Sequence, residues 1–371
     1  MTTATKRRKR TDGSSTKIPY GELKRALTIV SPAVPARSPR PVLTNVRIGD
    51  GLCVATDLEL RIETPLEWSG DPILLPHARL VQIVNAAGAV DDVEITVEES
   101  RATIKAGRGT WTLPTENASE FPGRAGSECT PMVHMPADQF VSLANAVRFA
   151  TDAESSRYAL GAVLVLWQSG TLTMVATDGR RMAVSSAECD EATDDVQKQP
   201  PRHAIDVITK LAGSGDLVQL EHTASEFVAD IDGTRVYSTL IEGKFPRWQD
   251  VEPTRDVVPT RVTVGQLLTA CRQAAICATE ESKGVVFAFT ADGIGLSAKS
   301  AEAGESHVTC EVVESGKNAV VKLDPRFVTE WLGCGSFDTE ETISVEAVDA
   351  QSAVVLRADD CRCVIMPMAD E

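Results

Sequence analysis

Leu23, Ala26, Leu27 and Val30 fall at i, i+3, i+4 and i+7, the spacing of one apolar helix face. Pro32, Pro35, Pro39 and Pro41 end that pattern. Apolar runs of strand length follow at Val42 to Ile48 and Leu52 to Thr56, then Asp57 to Ile62. A second helix is predicted from His77 to Ala87, closed by Gly88, a residue suited to the left-handed position past a helix end. Strands at Val93 to Val97 and Ala102 to Ala106 lead through Trp111 and Leu113 to Phe121-Pro122.

The same order then begins again. Phe140, Leu143, Ala144 and Val147 repeat the helical stripe, and strands Leu160 to Trp167 and Leu172 to Ala176 follow. A helix His203 to Ala212, ended by Gly213, precedes strands Val218 to Glu221 and Phe227 to Ile231, and the unit closes on Lys244-Phe245-Pro246. A third pass supplies Leu267, Leu268, Cys271, Ala274 and Ala275, strands Val285 to Thr290 and Ile294 to Ala298, and helix Arg326 to Leu332. Its last strand ends in Val364-Ile365-Met366-Pro367-Met368. Ala55-Thr56-Asp57 recurs as Ala176-Thr177-Asp178 after 121 residues, and a further 121 reaches Ser297-Ala298-Lys299. Phe121-Pro122 and Phe245-Pro246 are 124 apart. A period this long is a domain triplication, since solenoid repeats run about 20 to 50 residues. Two helices and several tightly connected strands per unit predict an α+β fold, antiparallel sheet with helices on one face. Residues 1–16 form a basic tail of disordered composition. The units are expected at 17–129, 130–255 and 256–371, joined by the proline-bearing stretches Pro122 to Pro136 and Pro246 to Pro259.

The middle copy of the repeated turn carries the most chemistry. Thr177-Asp178-Gly179 joins two strand patterns: Asp hydrogen-bonds its own backbone and Gly accepts a positive φ. Arg180, Arg181 and Met182 follow it, whereas the outer copies carry Asp57-Leu58-Glu59 and Ala298-Lys299-Ser300.

Bulk numbers narrow the field. The 371 residues are 43% hydrophobic and 24% charged, with no apolar run of membrane-spanning length or signal-peptide core, so a cytoplasmic location is expected. Nine scattered cysteines and five dispersed histidines form no metal-ligand spacing, and Cys361 and Cys363 read as two half-buried thiols on one strand face. Net charge is −16, yet Lys6 to Arg10 is wholly basic; without it 32 basic residues face 53 acidic ones. A protein basic all over is excluded, though segregated charge still allows nucleic acid as a partner.

Four elements in order resemble one family, the bacterial DNA polymerase III β subunit or sliding clamp. They are Arg157-Tyr158 with Leu160; Val175-Ala176-Thr177-Asp178-Gly179 with Arg181; Ile241-Glu242-Gly243-Lys244-Phe245-Pro246; and Val364-Ile365-Met366-Pro367-Met368. The resemblance runs from about Leu23 to Met368. It implies three clamp domains per subunit and a head-to-tail homodimer closing a six-domain ring around duplex DNA. It also implies a non-catalytic processivity role, with no metal or cofactor. The implied partners are the DNA polymerase III catalytic subunit, the clamp loader and other proteins carrying clamp-binding motifs.

By that resemblance a partner-peptide pocket comprises Leu160, Thr177, Gly179, Arg180, Arg181, Met182, Pro246, Val251, Val364, Met366, Pro367 and Met368. Adaptable methionines suit a surface that accepts several partners; the plainer reading makes Leu160, Val364 and Met366 core. Asp250 and the acidic end Ala369-Asp370-Glu371 depart from the family pattern. Arg37 matches a DNA-contacting position, and Lys24, Arg25, Arg79, Arg148, Arg202, Lys210, Arg272 and Arg326 are DNA candidates by helix placement. Lys6 to Arg10 is either an added phosphate-binding arm or a neutral end. The ring interface is expected to pack Trp111 and Leu113, with Arg108, against Ile276 and Cys277, with Glu302 and Glu305. Two other functions remain open: a clamp paralogue serving repair rather than the replicase, and a carboxylate-dependent enzyme, for which no nucleophile–base pair or phosphate loop is present.

Overall fold

The computed structural model describes residues 14–88, 90–98, 100–124, 128–152, 158–189, 194–253, 256–279 and 284–369. The tail Lys6 to Arg10, Arg157, Asp370 and Glu371 lie outside the described residues.

One order of elements occurs three times. The first copy is β1 (Ser14–Pro19), α1 (Tyr20–Val30), β2 (Asn45–Gly49), β3 (Leu52–Thr56), β4 (Leu60–Pro65), β5 (Ile73–Pro76), α2 (His77–Ala87), β6 (Asp92–Glu98), β7 (Arg101–Ala106) and β8 (Gly109–Pro114). The second is β9 (Thr130–Pro136), α3 (Ala137–Arg148), β10 (Leu164–Gln168), β11 (Thr171–Thr177), β12 (Arg181–Glu188), β13 (Val196–Lys198), α4 (Arg202–Ala212), β14 (Leu217–His222), β15 (Glu226–Ile231) and β16 (Thr234–Thr239). The third is β17 (Thr260–Thr263), α5 (Val264–Ala274), β18 (Val285–Thr290), β19 (Gly293–Ser300), β20 (Gly304–Cys310), β21 (Ala319–Leu323), α6 (Pro325–Leu332), β22 (Thr342–Glu346), β23 (Val354–Ala358) and β24 (Cys361–Ile365).

The chain forms two compact units, one of residues up to 128 with 233–237, the other of 129–232 and 238–371. In the first, β1-β6-β7-β8 is one antiparallel sheet and β5-β2-β3-β4 are hydrogen-bonded neighbours. In the second, one sheet has the order β13-β10-β11-β12-β24-β23-β22-β17 and another β20-β19-β18-β21. The pairing of β12 with β24 fuses the second and third copies into one sheet.

The helical stripes form as the spacing predicts. Leu23, Ala26, Leu27 and Val30 are buried on α1, and Phe140, Leu143, Ala144 and Val147 on α3. On α5, Leu267, Cys271 and Ala274 are buried with Ala270, while Leu268 is partly buried. Pro19, Pro76, Pro136 and Pro201 stand before α1 to α4 with extended ψ, so each strand or loop turns into its helix at a residue with fixed φ. The helices α5 and α6 use side-chain caps instead, Thr263 and Asp324 accepting from the backbone of Gln266 and Arg326.

Local readings fail in four places. Pro41–Thr44 is a 3₁₀ turn with proline at its start, so the expected strand begins only at Asn45. Leu160 sits in a 3₁₀ turn, Tyr158–Gly161, and its strand begins at Leu164. Gly88 takes φ 71°, but Gly213 stays right-handed at −60°. Cys363 is fully buried rather than half-buried, packed in the core beneath the fused sheet with Cys361 at its margin.

Candidate functional site

The middle hairpin is built by its own side chains. Thr177 pairs with Met182 across β11 and β12. Thr177 Oγ1 donates to the Arg181 carbonyl at 2.7 Å and accepts from Gly179 N–H at 3.1 Å. Asp178 Oδ1 accepts from the N–H groups of Arg180 and Arg181 at 2.9 and 3.0 Å. The first copy repeats each of these bonds one for one. Thr56 donates to the Leu60 carbonyl and accepts from Leu58, and Asp57 accepts from Glu59 and Leu60. Gly179 and Leu58 both adopt φ 84°. In the third copy the turn falls two residues later than the 121-residue shift places it. Ser300 plays the threonine part, accepting from Glu302 and Ala303 before Gly304 at φ 84°.

Decoration separates the copies. Where the middle hairpin has Met182, the first has Arg61, which donates to the Pro122 carbonyl at 2.8 Å and lies 5.9 Å from the Phe121 ring. Met182 of the middle copy instead joins Phe245 in an apolar cluster. There, a cavity of about 310 Å³ is lined by Leu160, Thr177, Gly179, Arg180, Arg181, Met182, Pro246, Trp248, Val251, Val364 and Met366. Its floor is a cluster of Ala159, Leu164, Val175, Met182, Val184, Phe245, Val355 and Val364, with Trp248 packed against it.

Ten of the twelve residues expected from the sequence border this cavity, while Pro367 and Met368 do not. They run past it: Met366 N–H donates to the Arg180 carbonyl and Met368 N–H to the Lys322 carbonyl, both at 2.9 Å. Trp248 is the lining residue that sequence reasoning missed; its signal was an aromatic two positions beyond Phe245-Pro246. Val364 and Met182 are lining and core at once, whereas Leu160 is only partly buried. Met366 and Val251 are each 45% exposed, large apolar side chains left at the rim.

Arg181 lines the cavity with its stem but spends its charge inside. Its side chain is 7% exposed, with Nε on Asp178 at 3.0 Å and Nη1 on Glu330 at 2.5 Å. Nη2 donates to the Phe149 carbonyl at 2.9 Å, and the guanidinium lies 5.0 Å from the Phe149 ring and 4.5 Å from Phe327. Thr177's hydroxyl is likewise committed within the turn. The remaining walls are apolar, and the exposed charges Arg180, Arg247 and Asp250 stand at the edge. This arrangement suits uncharged apolar side chains of a short segment.

The other expected sites are dispersed. Lys24, Arg25, Arg37, Arg79, Lys210, Arg272 and Arg326 are exposed. Arg148 and Arg202 are partly buried and share Asp206, at 2.5 and 3.5 Å, and Arg326 bonds Asp324 at 2.7 Å. Trp111 and Leu113 are partly buried on β8, the last strand of its sheet. Ile276 is 77% exposed, Cys277 is partly buried, and Arg108, Glu302 and Glu305 are exposed. Glu305 lies on β20, also a sheet edge. Among the described residues no group of three His, Cys, Asp or Glu is arranged to hold a metal, and no helix is long and apolar enough to cross a membrane.

Known proteins resemble the chain along nearly its whole length. Three family models match in succession: the N-terminal domain of the DNA polymerase III beta subunit over residues 17–125, its central domain over 134–247 and its C-terminal domain over 251–369. The beta sliding clamp of Chlamydia pneumoniae is 27% identical over 357 residues, 94% of this chain and 96% of that protein. The one from Pseudomonas aeruginosa is 28% identical over 364 residues, 93% and 97% of the two chains. The crystal structure of a Pseudomonas aeruginosa sliding clamp bound to griselimycin superposes with TM-score 0.89 at 26% identity, covering 96% of this chain and all of that one. A Bacillus subtilis clamp reaches the same TM-score at 21% identity over 97% of this chain, a likeness of fold.

Proposed function

The chain belongs to the DNA polymerase III β-subunit family, the bacterial sliding clamps, and from that premise we propose how this sequence performs the task. As a sliding clamp for DNA polymerase it is a non-catalytic processivity factor. Three domains, 17–129, 130–255 and 256–371, make one subunit, and two subunits join head to tail into a six-domain ring around duplex DNA. The apolar cavity at Thr177 to Met182 takes a short hydrophobic segment of the polymerase catalytic subunit. The clamp loader and other proteins with such segments compete for it.

One observation carries the tethering role: ten residues expected from sequence, drawn from positions 160 to 366, border a single apolar cavity. Tethering there raises the polymerase's effective concentration at the primer end without any chemistry by the clamp itself.

At the subunit joint, Trp111 and Leu113 of β8 pack on Ile276 and Cys277, and Arg108 faces Glu302 and Glu305. Two facts support this. The strands β8 and β20 both end their sheets, and edge strands are ordinarily paired or protected. Ile276 is also the most exposed large apolar residue among those described. DNA is held through phosphates without sequence readout. Lys24, Arg25, Arg37, Arg79, Lys210 and Arg272 are the stronger candidates, because Arg148 and Arg202 are partly neutralised by Asp206 and Arg326 by Asp324.

The test is primer extension on a singly primed circle with the cell's own replicative polymerase, clamp loader and ATP. Adding this chain lengthens products per binding event; Met366→Ala together with Val251→Ala shortens them. Products of unchanged length with and without the chain would overturn the reading.

A further inference from the structure

The cavity has one wall that belongs to neither of the paired strands beneath it: the connector after Pro246, where Trp248–Val251 forms a single 3₁₀ turn. Such a turn has few bonds of its own; here the backbone bond is Asp250 N–H to the Arg247 carbonyl at 3.2 Å. Trp248 packs against the apolar floor, and the end of the turn is fastened ionically. Glu252, the residue that ends the turn, accepts from Arg357 Nη1 on one carboxylate oxygen and from Arg362 Nε on the other, both at 3.0 Å. Arg357 and Arg362 are directly paired across β23 and β24, so the two donors stand side by side on a rigid ladder. Glu346 on β22 accepts from Arg357 Nε at 2.8 Å and holds it toward Glu252. The Arg362 guanidinium lies 5.8 Å from the Trp248 ring. Arg362 and Val364 are alternate positions on β24 and Met366 follows just past its end, so the residue that steadies the tryptophan is two positions before the cavity-lining Val364.

We propose that Glu252 is a positioning residue for the partner cavity: clamped between Arg357 and Arg362, it holds Trp248 and Val251 as a preformed wall. This rests on the cavity being the partner site. Each carboxylate oxygen is used once, and with all four charges partly buried the network is screened less than a surface pair. A wall formed in advance spares the partner the cost of ordering it.

The probe is a fluorescein-labelled pentapeptide whose only large side chains are leucine and phenylalanine, titrated by polarisation. Met366→Ala should weaken binding in any case; no binding by the parent chain, or no weakening in Met366→Ala, overturns the cavity as partner site. With that control satisfied, Glu252→Gln should weaken binding about fivefold to tenfold, mainly by faster dissociation. Trp248→Ala should then cost clearly less in the Glu252→Gln background than in the parent, because the tryptophan is no longer held in place. Equal cost in both backgrounds, or unchanged affinity in Glu252→Gln, overturns the positioning role and leaves the cavity standing. Arg362→Leu supplies the same cycle if Glu252→Gln melts early.

Discussion

At the scale of single residues, Arg181 shows how a residue type and its position can suggest different jobs. Beside a turn and next to Met182 it reads as a cavity lip that offers charge to a partner. In the fold its guanidinium is enclosed by Phe149 and Phe327 and paired with Asp178 and Glu330. A planar fork fills that cage and an ammonium does not. Arg181→Lys is therefore expected to lower unfolding free energy by about 2 kcal/mol, read from the denaturant midpoint. The thiols make a second case. Burial pushes Cys53 and Cys363 from 9.0 to about 12. The folded state keeps these protons where the unfolded chain releases them, so stability is full below about pH 9 and falls as pH rises toward 12. Melting temperature should decline from pH 8.5 to 10.5 on the order of a few degrees, and less steeply in Cys53→Ala, relative to that variant's own value at pH 8.

At the scale of elements, the repeated hairpin isolates conformation from decoration. Gly179 and Leu58 share φ 84° and the same set of four hydrogen bonds, so the backbone shape belongs to the repeat. Glycine occupies that region freely and leucine does so at a cost. Leu58 is 49% exposed, so replacing it forfeits little burial. Leu58→Gly is expected to be neutral to stabilising by about 0.5 kcal/mol, and Gly179→Leu destabilising by about 1 kcal/mol. Paired denaturant titrations of the two variants check this; equal and same-signed changes would contradict the shared geometry. The element also shows how decoration separates the copies: Arg61 is tied to the Pro122 carbonyl in the first, whereas Met182 joins Phe245 in the apolar cluster of the second.

At the scale of the whole molecule, the proposals concern assembly and DNA. Ile276→Asp should convert the dimer to a monomer at micromolar concentration by sedimentation, since it places a charge in the apolar centre of the joint. For the tail, deleting residues 1–12 should flatten the dependence of DNA affinity on salt by about 0.9 in log–log slope for each phosphate that the tail neutralises. An unchanged slope leaves Lys6 to Arg10 as a neutral end.

Much was legible in the sequence because it rests on short-range physics. The period of the helical stripes, the prolines that stop them and the Thr-Asp-Gly turn are each written within a dozen residues, and the threefold order is the recurrence of those local signals after 121 to 124 residues. The resemblance motifs then pointed to the cavity's members. Val42 to Thr44 and Leu160 read as strand but form 3₁₀ turns, because an apolar run does not by itself distinguish extended chain from a 3₁₀ turn. What tertiary structure alone decided lies between residues far apart in the chain: Glu252 between Arg357 and Arg362, Arg181 on Glu330, β12 on β24. Each of those partners is more than 100 positions from the other, and the repeat period says nothing about which charge meets which. The sequence by itself determined three copies of one domain and the one hairpin that differs. Only folding, by bringing the end of the third copy against the middle hairpin, decided that this difference is a cavity with a clamped wall.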